Sequence, residues 1–239
     1  MRRPLVTVVL AVGMSFLAAF GFLVYVLLAS GDPEYWRGDI AEFERRDVSN
    51  PPLAGAVLFV GGRDLRLWSR LSQDLAPLSV INRGFGGAQI AHVTHYMSRI
   101  VIPYRPRAIV LMAGEADLAD VHGRRPEDVL DDFKNFVTAL RDHDLDVPVY
   151  FVSIHPSPMR RGRWFGARRA NALVADFIKR DPKLHYIETA DGVIDGRGNI
   201  REDLFRWDGL SLNRQGYEVL ASEIKPVLLS AGLGAPLPH

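Results

Sequence analysis

The segment V-L-F-V-G-G-R-D-L-R-L-W, Val57 to Trp68, reads as a buried strand that turns through two glycines into a helix. Its apolar half is short and rich in β-branched residues, the form taken by a strand covered on both faces. The pattern repeats outward along the chain. Further short apolar runs lie at Leu78–Ile81, Ala108–Met112, Val147–Ile154 and Leu184–Ile187, with the first running from Ala56 to Val60. Between and after them, helical patterns cover about Asp64–Leu75, Ala88–Ile102, Pro126–His143, Gly166–Arg180 and Arg214–Leu229. Within the third, Val129, Leu130, Phe133, Phe136, Val137 and Leu140 recur at three- and four-residue spacing, the stripe a sheet-covering helix needs. Alternating units of this length predict an α/β domain with a five-stranded parallel sheet between two helical layers, a flavodoxin-like three-layer sandwich over residues 55–232.

The chain has 239 residues, a formal net charge of +1 and no cysteine. Such a length fits one core of ordinary domain size. A charge so near zero offers no footprint for nucleic acid. Without cysteine there are no disulfides and no thiolate metal sites. No cofactor is expected. His92 and His95 lie three apart on a helical pattern, a spacing that can chelate a metal, but no acidic partner or H-E-x-x-H pattern accompanies them, and packing or capping is the favoured role.

After Met1-Arg2-Arg3 comes an uncharged, mostly apolar run from Pro4 to Ser30. At about 1.5 Å per residue it is long enough to cross a ~30 Å hydrocarbon core, and too long for a typical cleavable signal. Residues 1–31 are therefore expected to form a transmembrane signal anchor. Arg2 and Arg3 precede it while Asp32 and Glu34 follow, which places the N-terminus in the cytoplasm and the domain outside, in the periplasm beside an inner membrane. Residues 32–54 form a helical linker, with an amphipathic helix around Tyr35–Arg46 ended by Pro51 and Pro52.

Ligands of open parallel sheets sit beyond the carboxyl ends of the strands, and the segments found there carry a family likeness. Gly61-Gly62-Arg63-Asp64 resembles the first block of the SGNH/GDSL hydrolase superfamily, where a G-D-S or G-S-S turn presents a nucleophilic serine. Asn82-Arg83-Gly84-Phe85-Gly86-Gly87 resembles the second block, and Ala113-Gly114-Glu115-Ala116-Asp117 the third, usually G-x-N-D. Trp207-Asp208-Gly209-Leu210-Ser211 resembles the last, usually D-x-x-H. Pro103-Tyr104-Arg105-Pro106 and Ile154-His155-Pro156-Ser157-Pro158 are similar to one bacterial branch of the family. The likeness spans about Glu34 to Leu229. It implies an esterase or acylhydrolase fold with two oxyanion donors and a Ser-His-Asp triad.

Residue by residue, that machinery is substituted. The serine position holds Arg63, the asparagine Ala116 and the histidine Ser211; only Gly87 and Asp208 match. Guanidinium is always protonated and is no nucleophile. Serine in place of imidazole cannot shuttle a proton near neutral pH. Alanine offers no oxyanion donor, a loss worth about 10²–10³ in rate by itself. No G-x-S-x-G elbow occurs elsewhere. His155, just after a strand, is the one histidine to consider as a base, and a loop histidine satisfied by nearby backbone is its favoured role.

Arg63 has three readings: an ion pair with Asp208 that plugs the site, an exposed side chain, or an anion receptor formed with the Gly87 amide. The arginine-rich stretch Arg160, Arg161, Arg163, Arg168, Arg169 is a solvated face or the rim of an anionic pocket. The leading expectation is a membrane-anchored pseudoenzyme that binds a small anionic or acylated ligand, or a protein partner, through Arg63, Gly87, His155 and Asp208. The alternative is an active esterase with a rearranged site.

Overall fold

A computed structural model describes residues 2–119 and 124–235. Five strands, β1 (Val57–Gly61), β2 (Val80–Gly84), β3 (Ala108–Met112), β4 (Val149–Val152) and β5 (Leu184–Ile187), form one parallel sheet in the order β2-β1-β3-β4-β5. This is the flavodoxin-like order, in which the chain reverses direction across the sheet beside β1. Successive residues alternate between faces. Leu58, Val60, Ile109, Leu111 and Phe151 enter one core, and Val57, Phe59, Val110, Tyr150 and Val152 the other.

The first core is covered by α2 (Arg37–Ser49), α5 (Ile90–His95), α6 (Met97–Ile100), α7 (Pro126–Asp142) and α8 (Trp164–Ile178); the second by α3 (Arg63–Leu67), α4 (Leu71–Asp74) and α9 (Arg214–Ser230). Two expected helices are broken. The helix expected over Asp64–Leu75 leaves helical geometry at Trp68, whose buried indole stacks on Tyr217 at 5.2 Å and donates to Asp74 at 2.8 Å. The one expected over Ala88–Ile102 is interrupted at Tyr96, whose hydroxyl donates to the Pro33 carbonyl at 2.9 Å. Strand β2 runs beyond its apolar residues because Asn82 and Arg83 find partners on neighbouring elements.

The stretch after the apolar run is packed into the domain. Trp36, Ile40 and Phe43 are buried in the first core. Arg83 donates to Asp47 and to the Tyr104 hydroxyl, and lies over the rings of Phe43 and Tyr104. Burial and the Asp47 hydrogen bond push the Tyr104 phenol up to about 12, so it stays a donor. Each buried apolar side chain in this segment stabilises by roughly 1.5–3 kcal/mol. Residues 33–49 therefore act as a structural layer of the domain.

The expected anchor falls on α1 (Arg2–Ala29). Side chains of residues 2–11, 23, 27 and 28 lie outside the described set. Among the described residues, no helix is long and apolar enough to cross a membrane. The described part of α1 carries exposed Phe16, Leu17, Phe20, Phe22 and Tyr25.

Candidate ligand pocket at the carboxyl edge of the sheet

The ends of β1 to β4 and the loops that follow them line a small cleft open to solvent. Arg63, Asp64, Gly87, Ala88, Glu115, Ala116, His155 and Arg160 are among its lining residues. Gly62 and the first turn of α3 bring Arg63 and Asp64 to the floor. The loop after β2 supplies Gly87, where an added Cβ would meet nothing within 4 Å. The loop after β3 supplies Glu115 and Ala116, and the loop after β4 supplies His155 and Arg160.

Two ion-pair systems meet here. Arg63 Nη2 donates to both Glu115 oxygens at 2.7 and 2.8 Å, and Arg160 Nη1 donates to Glu115 Oε1 at 2.9 Å and to the Glu115 carbonyl at 3.2 Å. One carboxylate thus holds two guanidiniums, with the Arg63 and Glu115 side chains about a fifth exposed. Beside it, His155 Nε2 donates to Asp64 Oδ2 at 3.1 Å and His155 Nδ1 donates to the Pro156 carbonyl at 3.0 Å. The Tyr217 hydroxyl fixes the Asp64 carbonyl at 2.9 Å.

With both ring nitrogens facing acceptors, His155 is an imidazolium. Burial, the largest single influence, opposes its charge; the Asp64 hydrogen bond and charge, helped by the Pro156 carbonyl and Glu115, outweigh burial and lift it to about 9. Burial likewise raises Asp64, but the His155 bond and the charges of His155, Arg63 and Arg160 leave it below the ordinary carboxylate value. A doubly donating imidazolium has no lone pair with which to accept a proton, so His155 is no general base here. Near pH 7 the two guanidiniums and the imidazolium face two carboxylates, leaving the lining with an excess of positive charge. Arg63 Nε and Asp64 Oδ1 are buried and have no hydrogen-bond partner among the described residues.

The pocket brings together Arg63, Gly87, Ala116 and His155; Asp208 and Ser211 do not line it. The ion pair expected between Arg63 and Asp208 is corrected: Arg63 pairs with Glu115. Asp208 is occupied locally, its Oδ1 accepting from the Leu210 and Ser211 amides at 2.9 Å and its Oδ2 from the Ser211 hydroxyl at 2.8 Å. Burial raises Asp208, but those donors and the nearby charge of Arg63 lower it overall. A carboxylate so stabilised is a poor acceptor for the Ser211 proton.

Asp64, Glu115 and Arg160 were not singled out from the sequence as site residues, though Arg160 lies in the stretch read as a possible rim. Asp64 adjoins Arg63, whereas Glu115 meets Arg63 across 52 residues of chain and carries no local signal. Among the described residues, no group of three or more histidines and acids that could hold a metal includes His92 or His95. His92 Nδ1 accepts from the Gln89 amide at 3.3 Å while Nε2 donates to the Gly31 carbonyl at 3.0 Å, and His95 faces Glu34 at 3.5 Å. Asp117, the neighbour of Ala116, is fully buried and accepts from the Ile90 amide at 3.2 Å; burial, then the charge of Asp132, pushes it up to about 7.

A parallel sheet in this order, with its pocket built from the loops after β1, β2, β3 and β4, places the chain among doubly wound α/β proteins whose site lies at the carboxyl edge. The GDSL-like Lipase/Acylhydrolase family model matches residues 53–219, and the chain belongs to that family. Among solved structures, a Streptococcus pneumonia protein provisionally described as a platelet activating factor superposes with a TM-score of 0.71 at 18% identity, covering 88% of this chain and 98% of its own. A GDSL-like lipase from Bacteroides thetaiotaomicron gives 0.63 at 19% identity, covering 80% and 99%. The lipase/acylhydrolase from Enterococcus faecalis gives 0.57 at 18%, covering 73% and 96%. At such identities the likeness is one of fold. A search of curated proteins finds no match.

Proposed function

We propose that this chain is a non-hydrolytic member of the family that binds a small anionic or acylated ligand in the former catalytic pocket. The observation that carries the reading is Arg63 at the nucleophile position, its guanidinium clasped by Glu115. A cation held in place of a nucleophile converts a site for making an oxyanion into one for holding an anion. Arg63 Nε, buried and without a partner among the described residues, and the excess positive charge of the lining favour a carboxylate or a similar anion. The membrane reading rests on the uncharged run from Pro4 to Ser30 and places the domain at the extracytoplasmic face.

An esterase needs a nucleophile beside a base. Ser211 donates to Asp208, and Ser153 Oγ donates to Glu188 while accepting from the Thr189 and Ala190 amides. Among the described residues, neither bonds an imidazole. The full chain in detergent should hydrolyse p-nitrophenyl acetate no faster than buffer, and Asp208→Ala should change nothing. Turnover abolished by that substitution would restore the esterase reading. In parallel, acetate titrated into the full chain should raise its Tm, and Arg63→Ala should remove the shift; a shift that survives Arg63→Ala would place anion binding elsewhere.

A further inference from the structure

The rim of the pocket carries large apolar side chains that the domain does not cover. Trp207 is 98% exposed, Phe165 85% and Met159 67%. The Met159 amide donates to the Gly209 carbonyl at 2.8 Å, which ties the loop carrying Met159 to the loop carrying Trp207. Phe165 follows Trp164, a lining residue of a smaller cavity of about 280 Å³ that shares Glu115, His155 and Arg160 with the main cleft. These three side chains thus stand on one edge of the molecule, around the pocket.

The same edge is cationic. From Met159 to Arg169 there are five arginines and no acidic residue; Trp207 lies between Arg206 and Asp208, and Glu202 and Asp203 are the exposed acids nearest it in the chain. Arg160 is spent inside the pocket. Arg161, Arg163, Arg168 and Arg206 are exposed; Arg163 has an interaction of its own, and the ion pair between Arg161 and Glu202 is itself at the surface. Aromatic rings among arginines are what the polar boundary of a bilayer rewards: rings settle at headgroup depth, and guanidiniums meet phosphate.

The position of α1 says which partner this edge meets. The helix ends at Ala29, and two residues later the Gly31 carbonyl is already bonded to His92. Trp36 then seats its ring on Gly86, in the loop after β2. No slack chain separates the apolar helix from the carboxyl edge of the sheet. Residues 30–36 span at most about 25 Å even if fully extended.

We infer that this edge is a bilayer-docking surface. Met159, Phe165 and Trp207 enter the interface of an anionic membrane, and Arg161, Arg163, Arg168 and Arg206 contact its headgroups. The pocket then opens toward lipid. This rests on the anchor reading above, so the test separates the two.

The full chain is mixed with vesicles of phosphatidylcholine, with or without phosphatidylglycerol, and recovered by flotation. Emission from Trp207, taken as the difference between the wild type and Trp207→Phe, is then quenched with lipids brominated near the headgroup end of the acyl chain. Flotation with quenching of the Trp207 emission is expected in phosphatidylglycerol vesicles. Loss of quenching is expected without that lipid, and in R161Q/R163Q/R168Q. Trp207 lies almost wholly in solvent, so its replacement leaves the fold intact.

A chain that does not float overturns the anchor reading and the docking surface with it. A chain that floats while Trp207 stays unquenched overturns the docking surface alone. Equal quenching in both vesicle types overturns the role given to anionic headgroups.

Discussion

At the scale of single residues, Glu115 holds the site together. It pairs with two guanidiniums, so Glu115→Gln takes from Arg63 and Arg160 the one carboxylate to which both are hydrogen-bonded. Arg63→Ala removes one cation and leaves Glu115 with Arg160. We expect Glu115→Gln to be the costlier change. Breaking a fully buried pair costs about 3–5 kcal/mol, and partial exposure here reduces that to about 1–3 kcal/mol. Urea melts of the two variants check the order, and an Arg63→Ala protein less stable than Glu115→Gln would refute it.

His155 makes a second residue-scale prediction, in pH. Its folded pKa, about 9, lies above the unfolded value near 6.5. The stabilisation it gives is complete below about 6.5 and is lost as pH rises through about 9. His155→Gln should flatten the melting curve in that window, and an unchanged slope would refute the pairing with Asp64. Asp117 acts in the same direction at lower pH. Its folded pKa, about 7, exceeds the unfolded value near 4, so its contribution declines as pH rises from about 4 to about 7. Asp117→Asn should therefore remove a loss of stability seen between those values, read from Tm across that range.

Among the elements, the seat of the 33–49 layer is narrow. Gly86 has φ +39°, and a Cβ there would stand 1.7 Å from the Trp36 ring. Gly86→Ala must push Trp36 out or distort the loop that carries Gly87. We expect a loss of more than about 2 kcal/mol, with faster amide exchange across residues 37–49; exchange confined to the 85–88 loop would show that Trp36 holds its place.

Legibility in the sequence also varied by element. β3 and β5 match their apolar runs end to end, and α7 follows its three- and four-residue stripe, because burial alone sets those bounds. The break at Trp68 was not legible, since it answers to Tyr217, far away in the chain. The polar half of β2 was missed for the same reason: Arg83 is satisfied by Asp47 and Tyr104 on other elements. In the pocket, the three family positions that line it, Arg63, Gly87 and Ala116, were marked by their motif slots, and His155 by its place just after a strand. The Arg63–Glu115 clasp was not, because charge pairing across 52 residues leaves no local pattern and Asp208 was the nearer guess by family geometry.

Across the whole molecule, the sheet gathers its chemistry at one edge, where the pocket, the arginines and the uncovered aromatics all lie. That edge is also where α1 arrives. The Gly31 carbonyl on His92 and the Trp36 ring on Gly86 leave no swivel between helix and domain. A joint without a swivel works as a crank. Any tilt of α1 turns the domain with it, and the first loop to feel the torque is the one that carries Gly87. A twist applied at the helix should therefore register as a change in how firmly the pocket grips an anion.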